Sequence, residues 1–335
     1  MNIYSLIKRF NHLKSSRLKL FAIYAMHITG RRYLGVFFDP VLGCNLRCKM
    51  CYFSDDEKRK EFKGVINEEQ LTEISRIFFP RALKLQIGCG TEPTLYKGVA
   101  KVIELAKSKS VPYISITTNA NLLDEAMIEE YLESGLDEFT LSMHGVTKET
   151  YEGLMTNANY EKFASVLELL SKAKNRFDFK IRVNYTMNED NVEELASLFE
   201  IFGHVKFDVI QLRPISKLGN TAYNNYSHQR IIDNYDSVLL KVKEEANKRD
   251  IICILPSKKQ MLNQYASTDN SLILESTYCY VSPKYYWKQD WNIGEDSFES
   301  YSKRKKIAKK LFSNVFYNKK TIERRDKKHF SYEID

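Results

Sequence analysis

Polar and apolar positions follow two rhythms along the chain. Short runs rich in β-branched and aromatic residues recur at Val36–Asp39, Leu83–Ile87, Tyr113–Thr117, Glu138–Leu141, Lys180–Tyr185 and Val209–Leu212, and read as strands. Between them apolar residues return at helical spacing. In Glu68–Phe79 the face is Leu71, Ile74, Ile77 and Phe78. In Asp124–Ser134 it is Met127, Ile128, Tyr131 and Leu132, with Asp124 placed to cap the helix. Further helices are expected over Gly98–Lys107, Tyr160–Lys174, Val192–Phe202 and Arg230–Lys248.

Six strands alternating with helices imply parallel strands joined by right-handed crossovers. A closed eight-stranded barrel takes about 250 residues, and the clear alternation here covers roughly 180. The expected fold is therefore α/β, a partial (β/α)6 TIM-like barrel, although a doubly wound open sheet would alternate in the same way. After Arg230 the pattern loosens, with Ile251–Leu255 as a candidate further strand. The expected division is a basic and apolar helical segment over 1–33, a core over 34–248, and a small α+β extension over 249–335. That extension is read as a cap over the barrel mouth, ending in a peripheral basic tail after about residue 300.

A hydrophobic share of 43% suffices for a packed core. The net charge of +8 is uneven, because Lys303, Arg304, Lys305, Lys306, Lys309, Lys310, Lys319, Lys320, Arg324, Arg325, Lys327 and Lys328 crowd the end. Such a block attracts an acidic partner, nucleic acid or anionic lipid, or is simply a solvated helix face. The second reading is preferred, since no RNA-binding module is visible and few aromatics interleave the charges. Nucleic acid is not expected as a partner. The apolar stretch Leu20–Ile28 is shorter than the roughly 20 residues that span a bilayer. No secretory signal is visible, and the expected location is cytoplasmic.

Six cysteines are present, and three of them fall within eight residues. Clustering of this kind makes a poor disulfide framework and a good metal site. The motif is Cys44-Asn45-Leu46-Arg47-Cys48-Lys49-Met50-Cys51, in a loop marked by Pro40 and Gly43 directly after the first strand. Three thiolates at this spacing reach three corners of an iron–sulfur cube and leave the fourth iron open. A structural zinc would need a fourth ligand, and no fourth Cys or His lies close in sequence; the next cysteine is Cys89.

The motif resembles the C-x3-C-x-Φ-C signature of the radical S-adenosylmethionine (radical SAM) superfamily, with Met50 in the Φ position. The resemblance runs from about Gly35 to Gly219. Gly90-Thr91-Glu92-Pro93 is similar to the family's Gly-Gly-Glu-Pro, with Thr91 in place of the second glycine. Thr118-Asn119-Ala120 resembles its Thr-Asn-Gly, and Ser142-Met143-His144-Gly145 its Ser-Leu-Asp/His-Gly. Gln211-Leu212-Arg213-Pro214 falls where the sixth strand ends. Each follows a predicted strand, at the edge where parallel α/β folds place their sites.

The resemblance implies one [4Fe-4S] cluster on Cys44, Cys48 and Cys51. It also implies S-adenosylmethionine on the open iron and an electron donor such as flavodoxin or ferredoxin. It further implies a 5′-deoxyadenosyl radical that takes a hydrogen atom from the substrate. Carried over by motif, the backbone of Gly90, Thr91 and Glu92 receives the methionine amino group. Asn119 and Ser142 are candidates for the ribose or carboxylate, and Arg182 for the carboxylate. Met50 and Tyr52 are expected near the adenine, and Leu212 beside the cofactor. His144 reads as a proton carrier or a turn histidine, and Cys89 as a small buried residue. Tyr278 to Asp296 resembles a degenerate SPASM-like extension that keeps only Cys279, so no auxiliary cluster is expected. The expected substrate is a peptide or protein side chain, or a carbohydrate-like small molecule. An RNA-modifying enzyme and a non-catalytic iron–sulfur or zinc protein are the alternatives.

Overall fold

The computed structural model describes residues 13, 15–216, 218, 220–262, 269–286, 291–292 and 294–318. Six parallel strands stand side by side in chain order. They are β1 (Leu34–Phe38), β2 (Ala82–Ile87), β3 (Ile114–Thr118), β4 (Glu138–Met143), β5 (Lys180–Met187) and β6 (Val209–Pro214). The C-terminal segment adds β7 (Ile252–Ile254), parallel beside β6, and β8 (Tyr278–Ser282), parallel beside β1. A short β9 (Tyr285–Tyr286) pairs antiparallel with β8. Among the described residues, β7 and β9 are the two edges, so the wall is open.

Two-residue alternation decides which face of each strand meets the core. In β4, Phe139, Leu141 and Met143 join the main apolar cluster, while Glu138, Thr140 and Ser142 take the other face. The same parity sends Val36 and Phe38, Leu85 and Ile87, Ile114 and Ile116, and Ile181, Val183 and Tyr185 into that cluster. A second cluster shows the curvature. Tyr113, beside β3, and Leu83 of β2 meet Val209 of β6 and Ile252 and Ile254 of β7. Residues that far apart across a sheet touch only if its inner face curls around a lumen. Above this cluster the same faces of β3 to β6 carry polar side chains, Ser115, Thr117, Thr140, Ser142, Asn184 and Gln211 among them, while β1 adds Phe37.

Helices cover the outer face. They include α1 (Ser16–Ile28), α2 (Glu68–Phe78), α3 (Val99–Ser108), α4 (Glu125–Glu133), α5 (Tyr160–Ala173) and α6 (Leu240–Lys248). Asn67 and Gln70 form a reciprocal capping box at α2, and Asp124 accepts from Met127 N at 2.8 Å to start α4. The helix expected over Val192–Phe202 is a 3-10 turn, Glu193–Ser197, followed by Leu198–Phe202. The one expected over Arg230–Lys248 is broken by a π turn at Tyr235–Leu239 ahead of α6.

The described part of the C-terminal segment does not cap the mouth. It widens the wall through β7 and β8 and packs three helices, α7 (Asp269–Thr277), α8 (Phe298–Arg304) and α9 (Ile307–Val315), around α1. Phe298, Tyr301 and Leu311 are buried in the main core. His27 ties the ends of the chain together, with Nδ1 2.9 Å from Tyr33 Oη and Nε2 3.0 Å from Ser302 Oγ. Lys303, Arg304, Lys309 and Lys310 of the basic block thus lie on packed helices, with Lys305 and Lys306 in the turn between them, whereas those from Lys319 onward fall outside the described residues. No helix among the described residues is long and apolar enough to cross a membrane.

Candidate active site

The three cysteines lie on one loop between β1 and a short helical turn. Fully buried Leu46 anchors the loop in the core, and Arg47–Cys48 pairs with Met155–Thr156 in a two-residue ladder. Arg47 Nη1 donates to the carbonyls of Cys44 and Leu46 at 2.7 and 2.6 Å. Cys51 N donates to Cys48 O at 2.9 Å, which bends the chain so that the second and third cysteines share one turn. All three thiols are free. Burial pushes Cys44 up to about 11, with the Glu92 and Cys51 charges adding to the shift. Burial first, and then the neighbouring thiols, also raise Cys48, and burial raises Cys51. A bound iron–sulfur cluster would supply the positive charge that lets these raised thiols ionise. Among the described residues no three His, Cys, Asp or Glu groups converge tightly enough for a single ion. Three free cysteine thiols on one loop are the kind of donor set that an iron–sulfur cube takes.

The Gly90–Pro93 loop is held by two carboxylates. Asp39, fully buried at the end of β1, accepts from Cys89 N at 2.8 Å, Gly90 N at 3.2 Å and Thr91 Oγ1 at 3.0 Å, and from Tyr280 Oη of β8 at 2.9 Å. Glu92 accepts from Thr94 Oγ1 and Thr118 Oγ1, both at 2.6 Å, and from Asn119 N at 2.8 Å. Its backbone N donates to Gly43 O at 2.8 Å, joining this loop to the cysteine loop. With its carboxylate spent on these donors, Glu92 positions the loop. Thr91, where the family motif has its second glycine, adds a further tie to Asp39 through its hydroxyl. Gly90 is required by crowding, since a Cβ there would lie 2.5 Å from Tyr52 Oη.

The other expected residues divide by orientation. Asn119 reaches the cysteine loop, with Nδ2 2.8 Å from Asn45 Oδ1 and 3.8 Å from Cys44 Sγ. Tyr52 Oη donates to Gly90 O, so it braces the loop. Ser142 lies on the lumen face of β4. Arg182 lies on that of β5, with Nε 3.0 Å from Asn184 Oδ1 and Nη2 bonded to Gln211. The side chains of Met50 and Leu212 turn away from the lumen. Met50 packs with Leu154, Ile215 and Tyr223, and Leu212 sits in the outer core. Cys89 is not a buried filler: solvent reaches its thiol, which donates to Asp39 Oδ2 at 3.4 Å. Cys279 is fully buried in the outer core and does not face the lumen. His144 Nδ1 is buried without a partner, and burial first and then the Arg213 charge hold its pKa down at about 4. Sequence reading missed Asp39 and Tyr280, although strand parity places both on the lumen side.

With this geometry in place, the family assignment is direct. The family model described as the Radical SAM superfamily matches residues 39–203. The chain carries a radical SAM domain. The radical SAM fold extends to solved structures. Streptococcus suis SuiB bound to S-adenosylmethionine superposes with a TM-score of 0.58 at 15% identity, over 75% of this chain and 59% of that one. AnSMEcpe with bound AdoMet gives 0.57 at 18%, over 87% and 82%. Among curated proteins, the "Probable GTP 3′,8-cyclase" of Saccharolobus islandicus is 24% identical over 209 residues, 62% of this chain and 65% of that protein. Its namesake from Metallosphaera sedula is 24% identical over 62% and 63%. The match thus spans a little under two thirds of the length of these curated relatives. The cofactors of a radical SAM domain are a [4Fe-4S] cluster and S-adenosylmethionine.

Proposed function

We propose that Cys44, Cys48 and Cys51 hold the cluster, and that the chain takes a hydrogen atom from a peptide or protein side chain, or from a carbohydrate-like small molecule, in its lumen. Bound there, the cluster and S-adenosylmethionine supply a 5′-deoxyadenosyl radical by one-electron cleavage of the sulfonium bond. The observation that carries the reading is the coupling of two loops. The free thiols and the Gly90–Pro93 backbone are locked to each other through Gly43, Glu92 and Asn119.

The residues have separate tasks. Asp39 and Glu92 fix the Gly90–Pro93 backbone so that its polar groups are aimed before a ligand arrives, which lowers the ordering cost of binding. Asn119 orients the Cys44 end of the cysteine loop. Ser142 and Arg182 present hydrogen-bond donors along the lumen wall. An open groove of about 580 Å3 beside the cysteine loop, lined in part by Arg47, Lys49 and Asp55, supports approach of an acidic electron donor such as flavodoxin or ferredoxin. The polar lumen supports a polar substrate, and fold relatives solved with peptides, SuiB with its precursor SuiA and anSMEcpe with Cp18Cys, support a peptide.

The test is anaerobic reconstitution, reduction, and incubation with S-adenosylmethionine. The expected product is 5′-deoxyadenosine, lost in Cys44→Ala. Methylthioadenosine as the main product would contradict the proposed chemistry. A neighbouring reading frame for a short precursor peptide would favour the peptide substrate.

A further inference from the structure

The packed ends of the chain carry an apolar row that the fold does not use. One face of α1 is spent on packing: Leu20 and Ile23 are buried, and His27 binds Tyr33 and Ser302. A second face carries Leu18, Phe21 and Ile28 at spacings of three and seven residues, each half exposed or more. α9 runs antiparallel beside α1, since Arg17 Nη2 lies 3.5 Å from Tyr317 O while the rings of Tyr24 and Phe312 lie 5.1 Å apart. Phe21 stands 6.3 Å from Tyr24, and Phe312 stands 5.3 Å from Phe316 just past the end of α9. The rings therefore form one row across two helices, yet Phe21, Phe312 and Phe316 are 50%, 44% and 67% exposed. Single apolar residues scattered on a surface need no explanation, but a contiguous row marks an interaction site.

The frame around this row is basic. Seven Lys and Arg precede Asp39, the first acid of the chain, and residues 303–318 hold six more with no Asp or Glu. Residues 39–302 hold more acids than bases, so positive charge is concentrated on the two segments that pack together here. Asp269 and Glu275 on α7 and Glu299 on α8 are the acids of the neighbouring helices, too few to offset that excess. Lys309 stands one turn before Phe312 on the same face, Lys310 beside it, and Arg17 next to Leu18, all three exposed. A merely solvated helix face, as the sequence suggests for the basic block, has no use for the apolar row. Aromatics framed by cations suit nucleic acid or lipid, but aliphatic Leu18 and Ile28 have no ring to stack on a base and favour lipid.

We propose that α1 and α9 form a docking face for the surface of an anionic lipid bilayer. The apolar row enters the boundary between headgroups and acyl chains, and the surrounding Lys and Arg meet the lipid phosphates. Attachment of this kind is peripheral and needs no spanning helix. None of these residues belongs to the cysteine loop or to the Gly90–Pro93 loop, so the face is separate from the candidate active site.

The experiment mixes the full-length reconstituted protein with sucrose-loaded vesicles and reads the bound fraction by sedimentation. Vesicles of phosphatidylcholine with about 30% phosphatidylglycerol are expected to bind at least about tenfold more tightly than phosphatidylcholine alone. Joint Phe312→Ala and Phe316→Ala should weaken binding about tenfold, through lost apolar burial. Joint Lys309→Glu and Lys310→Glu should weaken it at least about tenfold, while Lys101→Glu, exposed on α3, stays within about twofold of wild type. The substituted side chains are exposed, so each variant is expected to keep the wild-type far-UV spectrum; if the phenylalanine pair does not fold, the lysine pair decides. Absence of binding, equal binding to neutral vesicles, or binding untouched by the folded variants would overturn the proposal. So would a dimer, seen by light scattering, that the phenylalanine pair dissolves, which would assign the face to a second copy of the chain. A single-stranded oligonucleotide that binds more tightly than the vesicles and is lost in the same variants would overturn it in favour of nucleic acid.

Discussion

The close approach of Tyr52 to Gly90 offers a double-mutant cycle. A Cβ added at Gly90 would stand 2.5 Å from Tyr52 Oη, while the next atoms, Asp39 Oδ2 and Tyr52 Cζ, lie at 3.4 and 3.8 Å. The clash is therefore with a single oxygen, one that donates to the carbonyl of Gly90 itself. Gly90→Ala must displace the ring or the loop, at an overpacking cost of about 1–3 kcal/mol. Tyr52→Phe loses one hydrogen bond, about 1 kcal/mol. In the double variant the oxygen is gone and the new methyl meets only ordinary contacts. Its cost is then about that of Tyr52→Phe alone, giving a coupling of about 1–3 kcal/mol. The assay is S-adenosylmethionine affinity of the reconstituted protein by equilibrium dialysis, where Gly90→Ala should weaken binding by about 5- to 150-fold. Losses that simply add in the double variant would refute the idea that Tyr52 shapes this loop.

Further outcomes follow from the same contacts. Glu92→Gln turns an amide toward donors that now meet carboxylate oxygens. It should destabilise by about 2–3 kcal/mol, measured by urea denaturation, with the cysteine loop loosened as seen by faster amide exchange at Gly43 and Asn119. His144 has a folded pKa of about 4, below its usual value, so the unfolded chain takes up the proton first as pH falls. Its contribution is complete above about pH 6.5 and about 2 kcal/mol is lost by pH 5. His144→Gln should lack that part of the loss, and equal slopes in the two proteins would contradict the assignment. Leu311→Ala, in α9, should cost about 2–4 kcal/mol, and truncation at residue 300 should unfold the α1 face, because Tyr301 and Leu311 are core residues.

The strands of the core were legible because period-2 alternation survives in each, and the cysteine motif was legible because its spacing is local. Parity carried more than was drawn from it. Leu212 lies between Gln211 and Arg213, so a strand that turns those two to the lumen must turn Leu212 outward. Asp39 shares its parity with Gly35 and Phe37, which marked it for the inner face. The place of β8 was not legible, since its partner strand lies far away in sequence, with Tyr280 meeting Asp39 across 241 positions. The likeness of Tyr278 to Asp296 to a SPASM-like extension suggested a cap, but the alternation of Tyr278 and Tyr280 against Cys279 and Val281 is that of a wall strand. The basic residues after Arg304 hid the apolar face of α9 in the same way.

The central claim is that one loop of three thiols leaves an iron open to S-adenosylmethionine, and it is tested most directly on anaerobically reconstituted protein by counting metal and product together. The account predicts about four irons per chain, and 5′-deoxyadenosine formed after reduction, both lost in Cys48→Ala. Protein isolated under strict exclusion of oxygen with one zinc bound by four protein ligands, or a full cluster that leaves S-adenosylmethionine intact, would contradict it.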